Sequence, residues 1–217
     1  MSLKYVLLDL DGTLTNPETG ITNSIIYALN KLGIEVEDRA TLRKFIGPPL
    51  IDSFMGYYGF SRDDAKKAVG LYREYYAEKG IFENEVYEGI PELLEELTQR
   101  NITCVLATSK PTFFATQVIE HFGLTKYFAY LSGTTLDDTL ITKDAVITQA
   151  IKQLSITDLD NSIMVGDRKH DIEGAHANGT KCVGVLFGFG TREELVNAGA
   201  DYLVETVDEL RKLLISI

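Results

Sequence analysis

The sequence predicts an α/β fold, a doubly wound parallel sheet into which an all-helical module is inserted. Over residues 86–217, short apolar runs alternate with longer runs of helical periodicity, the pattern of parallel strands joined by crossover helices. A further apolar run at 5–8 opens the chain, whereas residues 15–85 carry helical periodicity and no strand pattern. We therefore expect a core formed by residues 1–14 and 86–217 and a helical module formed by residues 15–85.

The strands of the core are expected to be buried on both faces. Residues 5–8, Tyr-Val-Leu-Leu, are apolar or aromatic throughout, which is typical of a parallel strand covered by helices on both sides. By the same pattern, we expect strands at 5–8, 104–107, 127–131, 162–165, 182–186 and 202–204.

The helices are expected from apolar residues spaced three and four apart and from the residues that begin or end them. Ser61 with Asp64, and Thr206 with Glu209, have the spacing of a capping box, in which a side-chain oxygen accepts a hydrogen bond from a backbone N–H. Gly33 is expected to end the first helix. These signals place helices around 25–32, 38–45, 61–76, 90–97, 114–122, 143–154, between 167 and 178, and 206–217.

The composition excludes several classes of partner. The 217-residue chain has 45% hydrophobic and 24% charged residues, an ordinary globular composition. Its net charge of -11 argues against binding nucleic acid or an anionic membrane surface, whereas a small phosphorylated ligand needs only a few local cations. Without a run long enough to span a bilayer or a signal-peptide core, the chain is expected to be cytoplasmic. Cys104 and Cys182 lie in apolar runs and are expected to be buried, reduced thiols.

Polar residues gather at the carboxyl ends of three expected strands. Asp9 and Asp11 follow the first, residues 108–110 follow the second, and Asp167 follows the third. The carboxyl ends of parallel strands share one edge of the sheet, where α/β folds bind their ligands. Crowded carboxylates cost free energy unless a cation or a reaction uses them. The sequence therefore predicts a functional site at this edge.

Two motifs in this set carry a family resemblance. Asp-x-Asp-Gly-Thr-Leu at 9–14 and Gly-Asp-x-x-x-Asp at 166–171 resemble motifs of the haloacid dehalogenase superfamily, specifically its phosphatase branch. The resemblance covers almost the whole chain, because all four family motifs occur in order and the helical insertion lies between the first two. It implies a Rossmann-like core, a helical cap and a phosphoric monoester hydrolase. The loop at 46–50, Ile-Gly-Pro-Pro-Leu, is similar to the cap segment of the phosphoglycolate phosphatase group.

The resemblance also implies a role for each polar residue at the sheet edge. Asp9 would be the nucleophile that forms an aspartyl-phosphate, and Asp11 the general acid–base. Mg²⁺ would be held by Asp9, the backbone carbonyl of Asp11 and Asp167, with Asp171 in the outer shell. The residues implied in phosphate binding are Gly12, Thr108, Ser109 and Lys143.

Several of these residues have a second interpretation. Asp171 is also suited to complement the dipole at the start of a helix. Lys110 points either towards the cap or into water. Lys126 and Lys152 are weaker rivals of Lys143, because one precedes a strand and the other lies in the middle of a helix.

Substrate specificity is expected to come from the cap. Arg43 and Lys44 are candidates for binding an anionic substrate tail, although a surface-charge interpretation fits them nearly as well. Gly47 and Pro48 follow in the loop that faces the active site in the resembled group. In the core, residues 188–190, Gly-Phe-Gly, lack the third glycine of a phosphate-binding loop and are interpreted as an ordinary loop.

The predicted function is Mg²⁺-dependent hydrolysis of a small phosphomonoester through an aspartyl-phosphate, as in phosphoglycolate phosphatases, by a monomer or homodimer. A nucleotidase or inorganic pyrophosphatase of the same group is the first alternative. A β-phosphoglucomutase-like phosphomutase, which shields the intermediate from water, and a phosphonate hydrolase with a Schiff-base lysine such as Lys44 come next. A non-catalytic phosphate-binding module is disfavoured, because every catalytic position holds the expected residue.

Overall fold

The computed structural model describes residues 3–136 and 142–217, which form two compact units. One unit consists of Met1–Thr15 and Val86–Ile217, and the other consists of Asn16–Glu85. The first unit is therefore built from two separate stretches of chain, with the second unit inserted between them.

The first unit is organised around a six-stranded sheet in which all neighbouring strands are parallel, which confirms the predicted fold class. The strands are β1 (Tyr5–Leu8), β2 (Thr15–Asn16), β3 (Glu85–Val86), β4 (Thr103–Pro111), β5 (Phe128–Thr134), β6 (Ser162–Gly166), β7 (Lys181–Val185) and β8 (Tyr202–Val204). The order in the sheet is β5-β4-β1-β6-β7-β8. β2 and β3 pair with each other where the chain passes between the units, so the expectation of no strand within 15–85 is wrong at its two ends.

The central position of β1 follows from its composition. Val6, Leu7 and Leu8 are all completely buried, and each contributes about 1.5–3 kcal/mol by leaving water. Leu8 is in register with Leu106 of β4 on one side and Val165 of β6 on the other. The residues that follow Leu8 therefore emerge in the middle of the carboxyl edge of the sheet.

The helices lie mostly where the periodicity predicts them. The Oγ1 of Thr206 accepts a hydrogen bond of 3.1 Å from the N–H of Glu209, and Ser61 Oγ caps Asp64 N–H in the same way at 3.1 Å. The α-helices are α1 (Glu18–Lys31), α2 (Leu50–Tyr58), α3 (Arg62–Tyr75), α4 (Ile90–Gln99), α5 (Thr112–His121), α6 (Lys143–Gln153), α7 (Lys169–Ala177), α8 (Arg192–Asn197) and α9 (Val207–Ser216).

No bounds were predicted for α8, and two other helical segments differ from the expectation. Arg39–Phe45 is a 3₁₀ helix, whose first turn is capped by the carboxylate of Asp38 on the N–H of Ala40 at 2.9 Å. α2 was not predicted, because it begins at Leu50, inside the loop 46–50 that its two prolines indicate. Cys104 and Cys182 are free and buried, as expected.

Candidate active site

Asp9 lies at the carboxyl end of β1 and is held by a lysine from α6. Its side chain is buried, and Oδ1 is 2.8 Å from Nζ of Lys143. The same ammonium lies 2.7 Å from Oδ1 of Asp171 and donates to the carbonyl oxygen of Ala107 at 2.9 Å. The ammonium thus makes two hydrogen bonds and one ion pair, and these three contacts fix its position. The structure therefore brings Lys143 to the predicted site.

The charge of Lys143 is secured by its partners. Burial lowers the pKa of this lysine, but the carboxylates of Asp171 and Asp9 outweigh burial and raise the pKa above its usual value. The ammonium is therefore positive throughout the physiological range. A fixed cation beside Asp9 is suited to attract an anionic ligand to this carboxylate.

Three buried carboxylates converge at this edge. Oxygens of Asp9, Asp167 and Asp171 lie within 4.8 Å of one another. Burial raises the pKa of Asp167 well above its usual value, and the charges of Asp171 and Asp9 raise it further. Among the described residues, Oδ1 of Asp167 has no hydrogen-bond partner. An all-oxygen donor set with one unsatisfied buried oxygen fits a hard divalent cation.

Asp171 lies both at the start of α7 and in the charged cluster, while its role in the outer shell of a metal stays a prediction. Its Oδ2 accepts a hydrogen bond of 3.0 Å from the N–H of Arg168 at the start of α7, while Oδ1 faces Lys143. Burial raises the pKa of Asp171 to about 6, although Lys143 opposes this rise. One side chain thus caps a helix and belongs to the charged cluster.

Of the residues implied in phosphate binding, Lys143 contacts Asp9, and Gly12, Thr108 and Ser109 lie near the carboxyl ends of β1 and β4. Gly12 has φ of +87° and donates its N–H to the carbonyl oxygen of Thr15 at 2.8 Å. Thr108 is buried and pairs with Gly133 inside the sheet. The expectation that Ser109 lies at a helix N-terminus is wrong, because β4 continues through Pro111 and α5 begins only afterwards.

Lys110 takes neither of the orientations proposed for it. Its Nζ lies 2.6 Å from each carboxylate oxygen of Asp11. The two side chains are only 5% and 12% exposed. Burial raises the pKa of Asp11, and the ammonium of Lys110 opposes that rise. Each of the two aspartates after β1 thus has its own lysine.

The loop after β7 leads into α8, as interpreted, and it also supports Asp167. The N–H of Phe189 donates to Oδ2 of Asp167 at 2.7 Å. A Cβ on Gly188 would lie 2.3 Å from the carbonyl oxygen of Gly12, and one on Gly190 would lie 1.8 Å from that of Asp167. The available signal was a glycine on both sides of one residue directly after an expected strand.

The acidic loop is also fixed from α8. The carboxylate of Glu194 pairs with Nε of Arg168 at 2.9 Å and accepts the N–H of Lys169 at 2.9 Å. Sequence reasoning did not single out Glu194, because its partners lie far away in the chain. This contact orders the backbone between Asp167 and Asp171.

The four candidate specificity residues lie in the second unit. Nε of Arg43 is 2.6 Å from Oε1 of Glu18, and Nζ of Lys44 lies 4.1 Å from the centre of the Tyr57 ring. Gly47 has φ of +103°, which favours glycine at this point of the loop that also contains Pro48. Their role in specificity remains a prediction.

The class of protein is an α/β protein with an acidic site: buried carboxylates and a buried lysine lie at the carboxyl edge of its parallel sheet. Comparisons with known proteins assign this chain to a family. A family profile described as haloacid dehalogenase-like hydrolase matches residues 6–185. A 5'-nucleotidase of Pseudomonas aeruginosa is 45% identical over 196 residues, covering 89% of this chain and 88% of that protein. A phosphoglycolate phosphatase of Vibrio parahaemolyticus is 27% identical, covering 98% of this chain and 96% of that protein.

A solved structure gives the same assignment. The crystal structure of a predicted phosphatase from Clostridium acetobutylicum is 49% identical, covers 100% of both chains and superposes with a TM-score of 0.97. The chain therefore belongs to the haloacid dehalogenase-like hydrolases. It is a phosphatase, a hydrolase that acts on phosphate esters. Within the described residues, no helix combines the length and apolar character needed to cross a bilayer.

We expect Gly190→Ala to damage the site through Asp167. The added methyl would overlap the backbone oxygen of Asp167, which cannot move away without displacing the carboxylate. The expected cost is about 2–3 kcal/mol of stability, and activity should fall roughly 10²-fold because a shift of this size misplaces a reacting group. Thermal unfolding and steady-state phosphate release measure the two effects.

Gly70→Ala is the matched control for this substitution. Gly70 lies in α3, and a Cβ there would meet no heavy atom within 4 Å. Because alanine favours a helix over glycine, this variant should be as active as the wild type and slightly more stable, by about 0.5–1 kcal/mol. Full activity in Gly190→Ala would show that the loop does not position Asp167.

Proposed function

We propose that this phosphatase hydrolyses small phosphomonoesters through a covalent aspartyl-phosphate on Asp9. The observation that carries the proposal is the buried carboxylate of Asp9, held 2.8 Å from Lys143 at the carboxyl edge of the sheet. A fixed cation next to a carboxylate allows a phosphate dianion to approach a nucleophile that would otherwise repel it.

The proposed reaction has two steps. In the first, a carboxylate oxygen of Asp9 attacks phosphorus, the bond to the leaving oxygen breaks, and Asp11 gives that oxygen a proton. In the second, Asp11 takes a proton from water, the resulting hydroxide oxygen attacks phosphorus, and the bond to Asp9 breaks. Inorganic phosphate leaves, and both aspartates return to their starting states.

We propose Mg²⁺ as the cofactor. Asp9, Asp167 and the backbone carbonyl of Asp11 would hold it, with Asp171 in the outer shell, and the unsatisfied Oδ1 of Asp167 supports this assignment. When bound, the ion would neutralise charge on the phosphate oxygens. The chain's own residues keep the remaining roles: Lys143 orients Asp9, and Asp11 carries the proton.

Nucleoside 5'-monophosphates are the first substrates to test. The nucleotidase of Pseudomonas aeruginosa, 45% identical, supports them over phosphoglycolate, the substrate class expected from the sequence, whose Vibrio relative is 27% identical. The experiment measures kcat/KM with Mg²⁺ on nucleoside monophosphates, phosphoglycolate, pyrophosphate and sugar phosphates. Phosphate release without a bisphosphate activator would exclude a phosphomutase. Borohydride trapping with a carbonyl substrate tests the phosphonate-hydrolase alternative at Lys44.

Mg²⁺ is expected to stabilise the protein more at about pH 7.5 than at about pH 5. Burial raises the pKa of Asp167 well above its usual value and that of Asp171 to about 6, so both carboxyls take up protons as the pH falls. A protonated carboxyl is a poor ligand, and binding must then release its proton. At pH 7.5 and a Mg²⁺ concentration of about 100 times its Kd, the Tm of the protein should rise by roughly 5 °C.

The direction of these pKa shifts can be checked in the metal-free protein, through the pH dependence of its stability. A carboxyl whose native pKa is raised binds protons that the unfolded chain, with a pKa of about 4, has already released. The contribution of Asp171 to metal-free stability should therefore fall as the pH rises from about 4 to about 6, and the raised pKa of Asp167 acts in the same direction. Asp167→Asn should abolish the effect of Mg²⁺. An equal Tm rise at both pH values would contradict metal binding by these carboxylates.

A further inference from the structure

We propose that Lys110 is a positioning residue that holds the carboxylate of Asp11 for proton transfer and keeps it apart from the three-aspartate cluster. The inference rests on the proposed function, since it concerns how Asp11 performs its two proton transfers. It assigns a role to a lysine that sequence reasoning left undecided between the cap and water.

The geometry of the pair supports this role. Nζ of Lys110 is 2.6 Å from both Oδ1 and Oδ2 of Asp11, so the ammonium contacts both ends of the carboxylate. The lysine side chain is 5% exposed, which makes the contact far less screened than a surface ion pair. The pair joins the end of β4 to the residues after β1, the two neighbouring strands that form this part of the edge.

Lys110 also keeps the carboxylate of Asp11 apart from the three-aspartate cluster. Asp9, Asp167 and Asp171 bring carboxylate oxygens within 4.8 Å of one another, but among the described residues the carboxylate of Asp11 is not part of this group. Lys143 faces Asp9 and Asp171, while Lys110 faces Asp11. Two lysines thus separate a nucleophile cluster from a proton carrier only two residues away.

The backbone of Lys110 is itself fixed at the end of β4. Its N–H donates to Oγ1 of Thr108 at 3.2 Å, and β4 runs irregularly against β5 between Thr108 and Pro111. Lys110 thus lies in the irregular end of β4, and from there its ammonium contacts Asp11. The contact is therefore built into the backbone as well as the side chains.

The two half-reactions make the role measurable. Nitrophenolate leaves without needing a proton, so formation of the aspartyl-phosphate from p-nitrophenyl phosphate should tolerate a misplaced Asp11. Asp11, which has kept its proton in this case, first releases it to solvent and must then take a proton from the attacking water. Lys110→Met should therefore release one equivalent of nitrophenolate per active site in a rapid burst, followed by turnover roughly 10²-fold slower than in the wild type. On an alkyl phosphate both steps should be slow, and no burst should appear.

The experiment compares Lys110→Met, Lys110→Arg and Lys4→Met by rapid-quench and steady-state kinetics, with Tm measured for each. Arginine presents a planar fork that fits both oxygens, so Lys110→Arg should recover at least about tenfold of the lost kcat. Lys4→Met removes an exposed ion pair with Asp158 at 2.7 Å and should leave the kinetics unchanged. In an Asp11→Asn background, Lys110→Met should have no further effect on kcat.

Other outcomes would overturn the proposal. A raised KM with unchanged kcat would mean that Lys110 binds substrate directly. Additive losses of kcat in the variant that combines Lys110→Met with Asp11→Asn would mean that Lys110 does not act through Asp11. An equal loss in burst rate and in turnover would mean the same. If Lys110→Met is unfolded, the test uses Lys110→Arg instead, alone and combined with Asp11→Asn. Failure of the proposed function is distinguishable, because wild-type protein would then form no labelled phosphoenzyme on Asp9.

Discussion

Replacement of Asp9 by Asn is expected to abolish turnover, lowering kcat by roughly 10⁴-fold or more. The amide has nearly the same shape but lacks the negative oxygen that attacks phosphorus, so no aspartyl-phosphate can form. Steady-state phosphate release with Mg²⁺ measures the rate. Acid quenching after incubation with ³²P-labelled substrate should label the wild type and leave the variant unlabelled.

The stability of this variant provides an internal check. Lys143 keeps Asp171 and the Ala107 carbonyl as partners, and one of three crowded carboxylates loses its charge. We therefore expect Tm to be unchanged or higher, so a loss of activity cannot be attributed to unfolding. Asp158→Asn, at an exposed ion pair, is the matched control and should retain full activity. Wild-type rates in Asp9→Asn would place the nucleophile elsewhere.

The parts of this site that the sequence could predict are those governed by local pattern and by one topological rule. The apolar run 5–8 identifies a buried strand, and the carboxyl ends of parallel strands share one edge. These two statements place Asp9 and Asp167 at the same edge of the sheet, and the two residues meet there because β1 and β6 are neighbours. They also apply to Asp171, which lies one helical turn beyond Asp167. The confirmed fold class rests on the same reasoning.

The rest depends on contacts that pattern does not encode. Phe189 reaches Asp167 because β7 lies next to β6, and the sequence does not fix which strands are neighbours. Lys110 reaches Asp11 from the neighbouring strand through a long side chain, whose rotamer no periodicity specifies. Lys143 could be preferred over Lys126 and Lys152 only by motif order. Its three contacts now give a physical reason for that preference.

Lys143→Met is expected to have the second-largest effect, because this lysine serves both stability and chemistry. Removing it leaves Asp9 and Asp171 buried without their cation, which should cost about 3–5 kcal/mol and lower Tm by roughly 10 °C. Activity should fall by roughly 10²–10³-fold, since the positive charge that faces the phosphate is lost. Lys152→Met, at an exposed position of the same helix, should change neither quantity.

The pH dependence of the loss separates an electrostatic role from simple packing. Lys143 lowers the pKa of Asp171 in the native protein, so its removal should raise that pKa further above about 6. A raised native pKa adds protons to the folded state, and stability then falls as the pH rises through that range. The difference in unfolding free energy between wild type and Lys143→Met should therefore be larger at about pH 8 than at about pH 5. A difference that is independent of pH would instead mean that the lysine stem, and not its charge, holds α6 against the sheet.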